Sequence, residues 1–335
     1  MNTDRPPFAE RPSSLAQDAS FAIRPLALNR NARDINRLWR ETLGSAWPLS
    51  PSRLAASLRG TGPASGLVKW GAFLGCRLIG VIAAEITAED QAALILIAVV
   101  PDHQRRGVGT GLLDRLKRAL GAKGIRTLTL GAGASQPLWH GVPISLPSAL
   151  AFFERHGGIL DETSYDLVGT ITDFRTPEPL MKRAHQYGIT FETLRPEFAP
   201  ALLAFEREHF PFWQPFFVEA IANGALRDVL IARRQAEIAG GLLLSEAPYC
   251  PGVQWAQRLG PRLGAFGILG VAPAHRERGV GLALAAYATE HLQRRGVQTC
   301  FLHWTDLRDW YSRLGFRVWE EYRLGQLSFV AEKSL

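Results

Sequence analysis

The sequence predicts an α/β (α+β) chain made of two tandem domains, each a mixed sheet flanked by helices. Three observations carry that reading. The chain has 335 residues, more than a single core ordinarily serves. The order strand, helices, strands, helix, strand, helix, strands occurs twice along it. The run Val99-Val100-Pro101-Asp102-His103-Gln104-Arg105-Arg106-Gly107-Val108-Gly109 is answered by Gly270-Val271-Ala272-Pro273-Ala274-His275-Arg276-Glu277-Arg278-Gly279-Val280-Gly281. A repeat period well above 100 residues means duplicated domains rather than a solenoid.

Residues 1–20 are polar and proline-rich and read as a flexible leader without the apolar core of a signal peptide. The first domain spans 21–172. A strand is expected over 21–28, helices over 32–43 and 51–58, and two strands over 67–74 and 77–86. The apolar run 93–100, ended by Pro101, has the pattern of a buried central strand. An amphipathic helix over 109–120 stops near Gly121 and Gly124. A strand over 127–130, a helix over 148–155 and a hairpin from 159 to 172 complete the unit.

Residues 173–188, with Pro177 and Pro179, read as a linker holding a short polar helix. The second domain, 189–335, repeats the order. Strands are expected over 189–194, 229–232, 238–244, 265–272 and 299–304. Helices are expected over 197–207, 214–222, 281–295 and 307–314, with a terminal hairpin after them.

Hydrophobic residues make up 47% and charged residues 21%, so both halves can bury cores. The formal charge is +7, but the cations are scattered, and no basic stripe interleaved with aromatics supports a nucleic-acid partner. Positive potential near a phosphate-bearing ligand accounts for the balance. No apolar run approaches the roughly 20 residues that span a bilayer. Cys76, Cys250 and Cys300 have no metal-like spacing, and Cys76 and Cys300 lie in or beside apolar runs. The expectation is a cytoplasmic protein with reduced thiols and no bound metal.

The repeated motif is an apolar strand, a proline, then Gln/Arg-x-x-Gly-x-Gly, then a helix. Glycines allow close backbone approach to an oxygen-rich ligand. The loop and helix N-terminus aim unpaired N–H groups at phosphate, and Arg105, Arg106, Arg276 and Arg278 add charge. A dinucleotide fold would place GxGxxG after its first strand. Here several strands precede the glycines, and no GxxxxGK[ST] pattern occurs.

At Gln104, Gly107 and Gly109, and again at Arg276, Gly279 and Gly281, the sequence resembles the GNAT N-acetyltransferase superfamily. The likeness covers nearly the whole chain after Phe21, twice. It implies two V-shaped mixed sheets in which the fourth and fifth strands splay around acetyl-CoA. The donor's pyrophosphate would lie on Gln104, Arg105, Arg106, Gly107, Val108, Gly109 and Thr110, or on Arg276, Glu277, Arg278, Gly279, Val280 and Gly281. The backbones of Val99 and Val100, and of Leu269, Gly270 and Val271, would pair with the pantetheine amides and stabilise an oxyanion.

The resemblance also implies an acid for the leaving thiolate, often a tyrosine four residues before a Gly-Phe pair. Tyr311 holds that place in the second half, and Phe153 in the first. A phenylalanine donates no proton, so catalysis is expected in the second half, although packing alone is an ordinary role for a tyrosine. Glu246 either reaches the cleft as a base or stays a solvated loop carboxylate. Asp306 and Asp309 follow the fifth strand, where an ammonium or a sugar hydroxyl would arrive; Asp306 could equally cap the helix. His303 reads as a packed histidine, and Trp304 stands where the family often has asparagine.

Phe212 and Trp213, within the aromatic run 210–217, suit either an acceptor wall or a helix–helix core. Residues 139–143 form an insert and 249–252 a lid candidate. Together these features are loosely similar to bacterial glucosamine and glucosaminide N-acetyltransferases. The leading expectation is acetyl transfer to a primary amine by direct attack, with an amino sugar as acceptor. Mycothiol-synthase-like activity, acetylation of a protein or peptide amine, and a non-catalytic CoA sensor are the alternatives.

Overall fold

A computed structural model describes residues 20–59 and 66–329; the expected leader lies outside them except for Ser20. The first half runs β1 (Ala22–Pro25), α1 (Leu28–Thr42), α2 (Pro51–Ser57), β2 (Gly66–Leu74), β3 (Arg77–Ile86) and β4 (Gln91–Val99). It continues with α3 (Val108–Gly121), β5 (Thr127–Leu130), β6 (Val142–Pro143), α4 (Pro147–Arg155) and β7 (Gly158–Thr170). The expected linker holds α5 (Glu178–Gln186). The second half runs β8 (Ile189–Thr193), α6 (Ala199–His209), α7 (Gln214–Ala222), β9 (Val229–Arg234), β10 (Glu237–Glu246) and α8 (Ala256–Leu259). Then come β11 (Leu263–Val271), α9 (Val280–Arg294), β12 (Thr299–Thr305), α10 (Arg308–Ser312) and β13 (Arg317–Ser328).

The strands form one sheet in the order β1-β2-β3-β4-β5-β13-β7-β12-β11-β10-β9-β8, with β6 beside β13. In each half the fourth and fifth strands are parallel only at their start. β4 meets β5 from Gln91↔Thr127 to Leu94↔Leu130, and β11 meets β12 only at Leu263↔Thr299 and Gly264↔Cys300. Beyond those pairs the strands part, which makes the V.

The two expected terminal hairpins are instead two single long strands, each exchanged into the other half. β13 runs antiparallel to β5 (Leu327↔Leu128), β7 runs antiparallel to β12 (Leu302↔Leu167), and β7 and β13 pair with each other along their length. Neither segment carries a two-residue turn signal, so nothing local folds it back. At the centre the register shifts around Gly325, where a Cβ would stand 1.9 Å from the Ile159 carbonyl oxygen. Only glycine fits that approach.

Helix α1 begins four residues before its expected start, because the Asn31 side chain accepts the Ala27 N–H and closes the first turn. Helix α3 buries Val108, Leu112, Leu113, Leu116 and Leu120 along one face. Helix α9 is buried on more sides, since α5 covers it and Glu290 accepts the Thr176 N–H. Across the seam, Trp47 and Trp139 of the first half pack against Trp255 and Trp319 of the second, with ring centroids as close as 4.8 Å, and Trp39 stacks behind Trp139. Burying a large apolar side chain is worth about 1.5–3 kcal/mol, so this indole cluster joins the halves firmly. Cys250 and Cys300 are buried, whereas Cys76 sits exposed at the β2–β3 turn, not within a core. Among the described residues no helix is long and apolar enough to cross a membrane.

Candidate functional site

Both glycine loops have the same backbone. Each begins with a short turn at the proline (Pro101, Pro273). Arg105 and Glu277 then take φ of 60° and 61°, and Gly107 and Gly279 take 80° and 83°. A side chain in the left-handed region is strained, and here it turns successive N–H groups to one side, a nest for an anion. Gly107 and Gly279 are the N-caps of α3 and α9, so helix N-termini complete each nest. Gln104 Nε2 donates to the Val99 carbonyl (2.9 Å) and Arg276 Nε to the Val271 carbonyl (3.0 Å). Those two long side chains tie the loop to the strand end, leaving ligand contact to the backbone.

What lies beyond the loops differs. In the first half a cavity of about 560 Å³ opens between β4 and β5. Leu94 to Val99, Gln104, Arg105, Gly107, Gly109 and Thr110 line it, with Trp139, Phe152, Phe153 and His156. Val100, Arg106 and Val108 are not on its wall. Thr110 Oγ1 lies 3.2 Å from His156 Nε2. Among the described residues no carboxylate lines this cavity, and the lining reaches the indole cluster at Trp139, whose Nε1 has no hydrogen-bond partner among them. The space and the loop fit a pantetheine-bearing donor.

In the second half the corresponding surface carries side chains. Phe210 packs on Gly270, where a Cβ would lie 2.4 Å from its ring, and Val271 and Leu269 face Gly281. Arg183, from α5, donates to the Glu277 carbonyl (2.9 Å) and its side chain rests beside Gly279. Arg278 stacks over Tyr187. Arg183 and Arg278 thus bring two guanidinium groups to this nest, and they fit a donor phosphate. Val280 is buried beneath it.

Tyr311 lies inside the second core, against Trp310 (4.7 Å), Phe316 and Phe266. Burial pushes its phenol well above the ordinary tyrosine range, and Cys300 and Asp306 add to that. A phenol held protonated is suited to giving a proton. Phe153 is equally buried in the first half and is apolar.

Glu246 does not reach the wedge. It accepts from Arg295 Nη1 (2.9 Å) at the C-terminal end of α9, while the nest is at the N-terminal end, about 20 Å along the helix axis. The expected base is therefore an ion-pair partner. Asp306 is exposed and does not cap α10; Thr305 Oγ1 accepts the Leu307 N–H. Asp309 is exposed and paired with Arg308. Phe212 is 90% exposed, and Trp213 stacks on Phe210 at 5.0 Å.

Trp304 is half exposed and stacks on His140 from the first-half insert (5.6 Å). Its φ of 55° marks a bulge in β12, pinned because Asp166 Oδ1 accepts the Trp304 N–H (3.1 Å). Asp166 Oδ2 accepts the Tyr322 hydroxyl (2.8 Å). Burial pushes Asp166 up to about 7 and His140 down to about 3, with His303 contributing to the latter. His140, Asp166 and His303 offer ligand atoms within 4.8 Å of one another, but both Asp166 oxygens are already engaged by donors. His303 keeps solvent contact at the edge of this group.

Sequence reasoning missed Arg183, the Asp166–Tyr322–His140 seam and Glu206. The seam joins strands that pair only through the exchange. Glu206 had a local signal, a carboxylate four residues after Leu202 on the apolar side of α6.

A split sheet with a capped anion nest, present once in each half, is a frame that fits a phosphate-bearing donor. The chain belongs to the Acetyltransferase (GNAT) family, matching the family description over residues 32–141 and its GNAT domain description over 226–318, and it is a tandem N-acetyltransferase. It is similar to a structure described as a GCN5-related glucosamine N-acetyltransferase region in a fungal multi-domain GH3 β-N-acetylglucosaminidase. That match has 27% identity and a TM-score of 0.80, covering 93% of this chain and 38% of the other. The chain thus spans well under half the length of that relative. A GCN5-related N-acetyltransferase from Sphaerobacter thermophilus shares the fold at 19% identity and TM-score 0.67, covering 92% and 95% of the two chains. A tandem GNAT protein of the clavulanic acid biosynthesis pathway shares it at 18% and 0.61, covering 94% and 100%. Among curated proteins none matches this sequence.

Proposed function

We propose that the protein transfers the acetyl group of acetyl-CoA to the primary amine of a small molecule, an amino sugar first among candidates, and that the second half performs the transfer. One observation carries the choice of half. At matching places in the two halves, four residues before a glycine, stand a phenol at Tyr311 and a phenyl at Phe153, and only the phenol can protonate a leaving thiolate. Arg183, Arg278 and the Glu277–Gly279 backbone would hold the donor's phosphates, with Arg276 fixing the loop to the strand end. The first-half cleft would bind the same donor without turning it over. The amino-sugar reading draws on the likeness to the glucosamine N-acetyltransferase region, and on the aromatic wall at Phe212 and Trp213.

The test is acetyl-CoA thiol release with glucosamine, glucosaminides, aminoglycosides and lysine peptides, on wild type, Tyr311→Phe and Phe153→Tyr. Turnover with an amino sugar that collapses in Tyr311→Phe supports the reading. Turnover indifferent to Tyr311 moves the chemistry to the first half, and turnover on peptides alone replaces the acceptor class.

A further inference from the structure

We propose that Glu206, on the sheet-facing side of α6 in the second half, receives the acceptor's ammonium and takes its proton. This deepens the functional reading above and rests on the second half being the catalytic one.

Helix α6 turns Leu202, Phe205 and Glu206 toward the sheet, and all three are buried. Glu206 has no solvent exposure, and neither carboxylate oxygen has a hydrogen-bond partner among the described residues. Burying a polar group with no partner costs several kcal/mol. A carboxylate kept there at such a cost is explained by a ligand that supplies the missing donors, and an ammonium supplies three.

The sheet opposite makes room. A Cβ on Gly241 would stand 3.1 Å from Glu206 Oε1, so the glycine admits the carboxylate. Gly241 pairs with Gly270, and Leu243, one step along the same face, pairs with Gly267. Nothing lies within 4 Å of where a Gly267 side chain would begin. Between them Ile268, at φ 54°, breaks the β10–β11 register. Phe210 covers Gly270, so the open space on this face lies at Gly267, where the strands splay. Trp213, stacked on Phe210, and the exposed Phe212 stand at the α6–α7 connection above it.

The other carboxylates are occupied or outside. Both Asp166 oxygens accept protein donors, Glu246 is paired with Arg295, and Asp306 and Asp309 are exposed. The residues that meet with Glu206 Oε1 around Gly241 are Leu202 and Phe217, neither of them titratable. On α6 itself Arg207 and Glu208 are exposed, and His209 lies 3.9 Å from Glu208. Burial alone pushes Glu206 up to about 8; an ammonium beside it would bring that value back down.

In the transfer the ammonium proton passes to a Glu206 oxygen, freeing the nitrogen lone pair. That pair forms the C–N bond to the acetyl carbon as the C–S bond breaks, and the Tyr311 proton goes to the departing sulfur. As the amide forms its nitrogen gives up a second proton to solvent, the Glu206 proton also returns to solvent, and solvent reprotonates the Tyr311 phenolate, so one proton is released per acetyl group transferred.

Glu206→Gln and Glu206→Leu in the full chain test this, using whichever amine the wild type acetylates. Turnover is expected to fall about 100-fold or more in both, with acetyl-CoA affinity unchanged and Tm equal or higher, because a buried carboxyl without hydrogen-bond partners is gone. Turnover preserved in Glu206→Gln overturns the assignment while leaving the acetyltransferase reading intact. A fall in acetyl-CoA affinity and Tm together with turnover also overturns it, since that is the signature of a packing role. A wild type that acetylates no amine overturns both.

Discussion

The two halves share a frame and differ in what fills it. Around the nests the backbone angles agree within a few degrees, at Arg105 and Glu277 and at Gly107 and Gly279. Among the described residues, the first half offers an open cleft with no carboxylate and no phenol on its wall. The second half holds Tyr311 and Glu206, but Phe210 and Arg183 crowd its loop. The open space lies in one half and the buried phenol in the other, and the exchanged strands β7 and β13 join the halves in one sheet. A glycine loop therefore identifies where a thioester donor can bind, not where it reacts.

The comparison breaks most sharply at the phenol. Tyr311→Phe is expected to lower kcat about 100-fold or more, and Phe153→Tyr to restore nothing, in a thiol-release assay. At the centre of the sheet, Gly325→Ala forces a methyl group onto the Ile159 carbonyl. It should destabilise the chain by about 1–3 kcal/mol, read from thermal melts, and should melt both halves together.

The nests are next. Gly107→Val and Gly279→Val each place a β-branched residue at positive φ, costing about 1–2 kcal/mol locally, or roughly tenfold in donor affinity. Calorimetric titration with acetyl-CoA should lose one site in each variant, and only Gly279→Val should lose turnover. Loss of turnover in Gly107→Val alone would assign catalysis to the first half.

A smaller effect is the pH dependence of stability. The Glu206 carboxyl is raised to about 8 in the folded chain, from an ordinary value of 4.5. Between those values the folded state holds a proton that the unfolded state has released, so stability falls as pH rises through that window. Asp166, raised to about 7, has the same sign. His140, lowered to about 3, has the opposite sense, losing stability as pH falls below its unfolded value. Thermal melts should therefore peak in mildly acidic buffer, and Glu206→Gln should flatten the alkaline side. The smallest change is expected from Arg183→Ala, a rise of about threefold in KM for acetyl-CoA from one lost partly exposed cation.

Local pattern carried much of the fold. Strand β3 and helix α7 have the bounds that alternation and helical spacing indicated, and both glycine loops sit between apolar strand and helix as expected. The hairpins failed because the partner of β7 is β13, some 160 residues away in sequence, where no turn chemistry announces it. Glu246 misled because its position after a strand says nothing of Arg295, which reaches it from the far end of another helix. Glu206 went unnoticed because a carboxylate in a helix is usually solvated.

By itself, the sequence determined the duplicated order of elements, the two anion nests and the contrast between Tyr311 and Phe153. These depend on residues near one another in the chain, where spacing and backbone preference act directly. The tertiary structure decided the strand exchange, the joining of the halves through Trp47, Trp139, Trp255 and Trp319, and which carboxylates are spent on protein partners. Those follow from packing between distant segments, where burial and hydrogen-bond satisfaction depend on what happens to lie opposite.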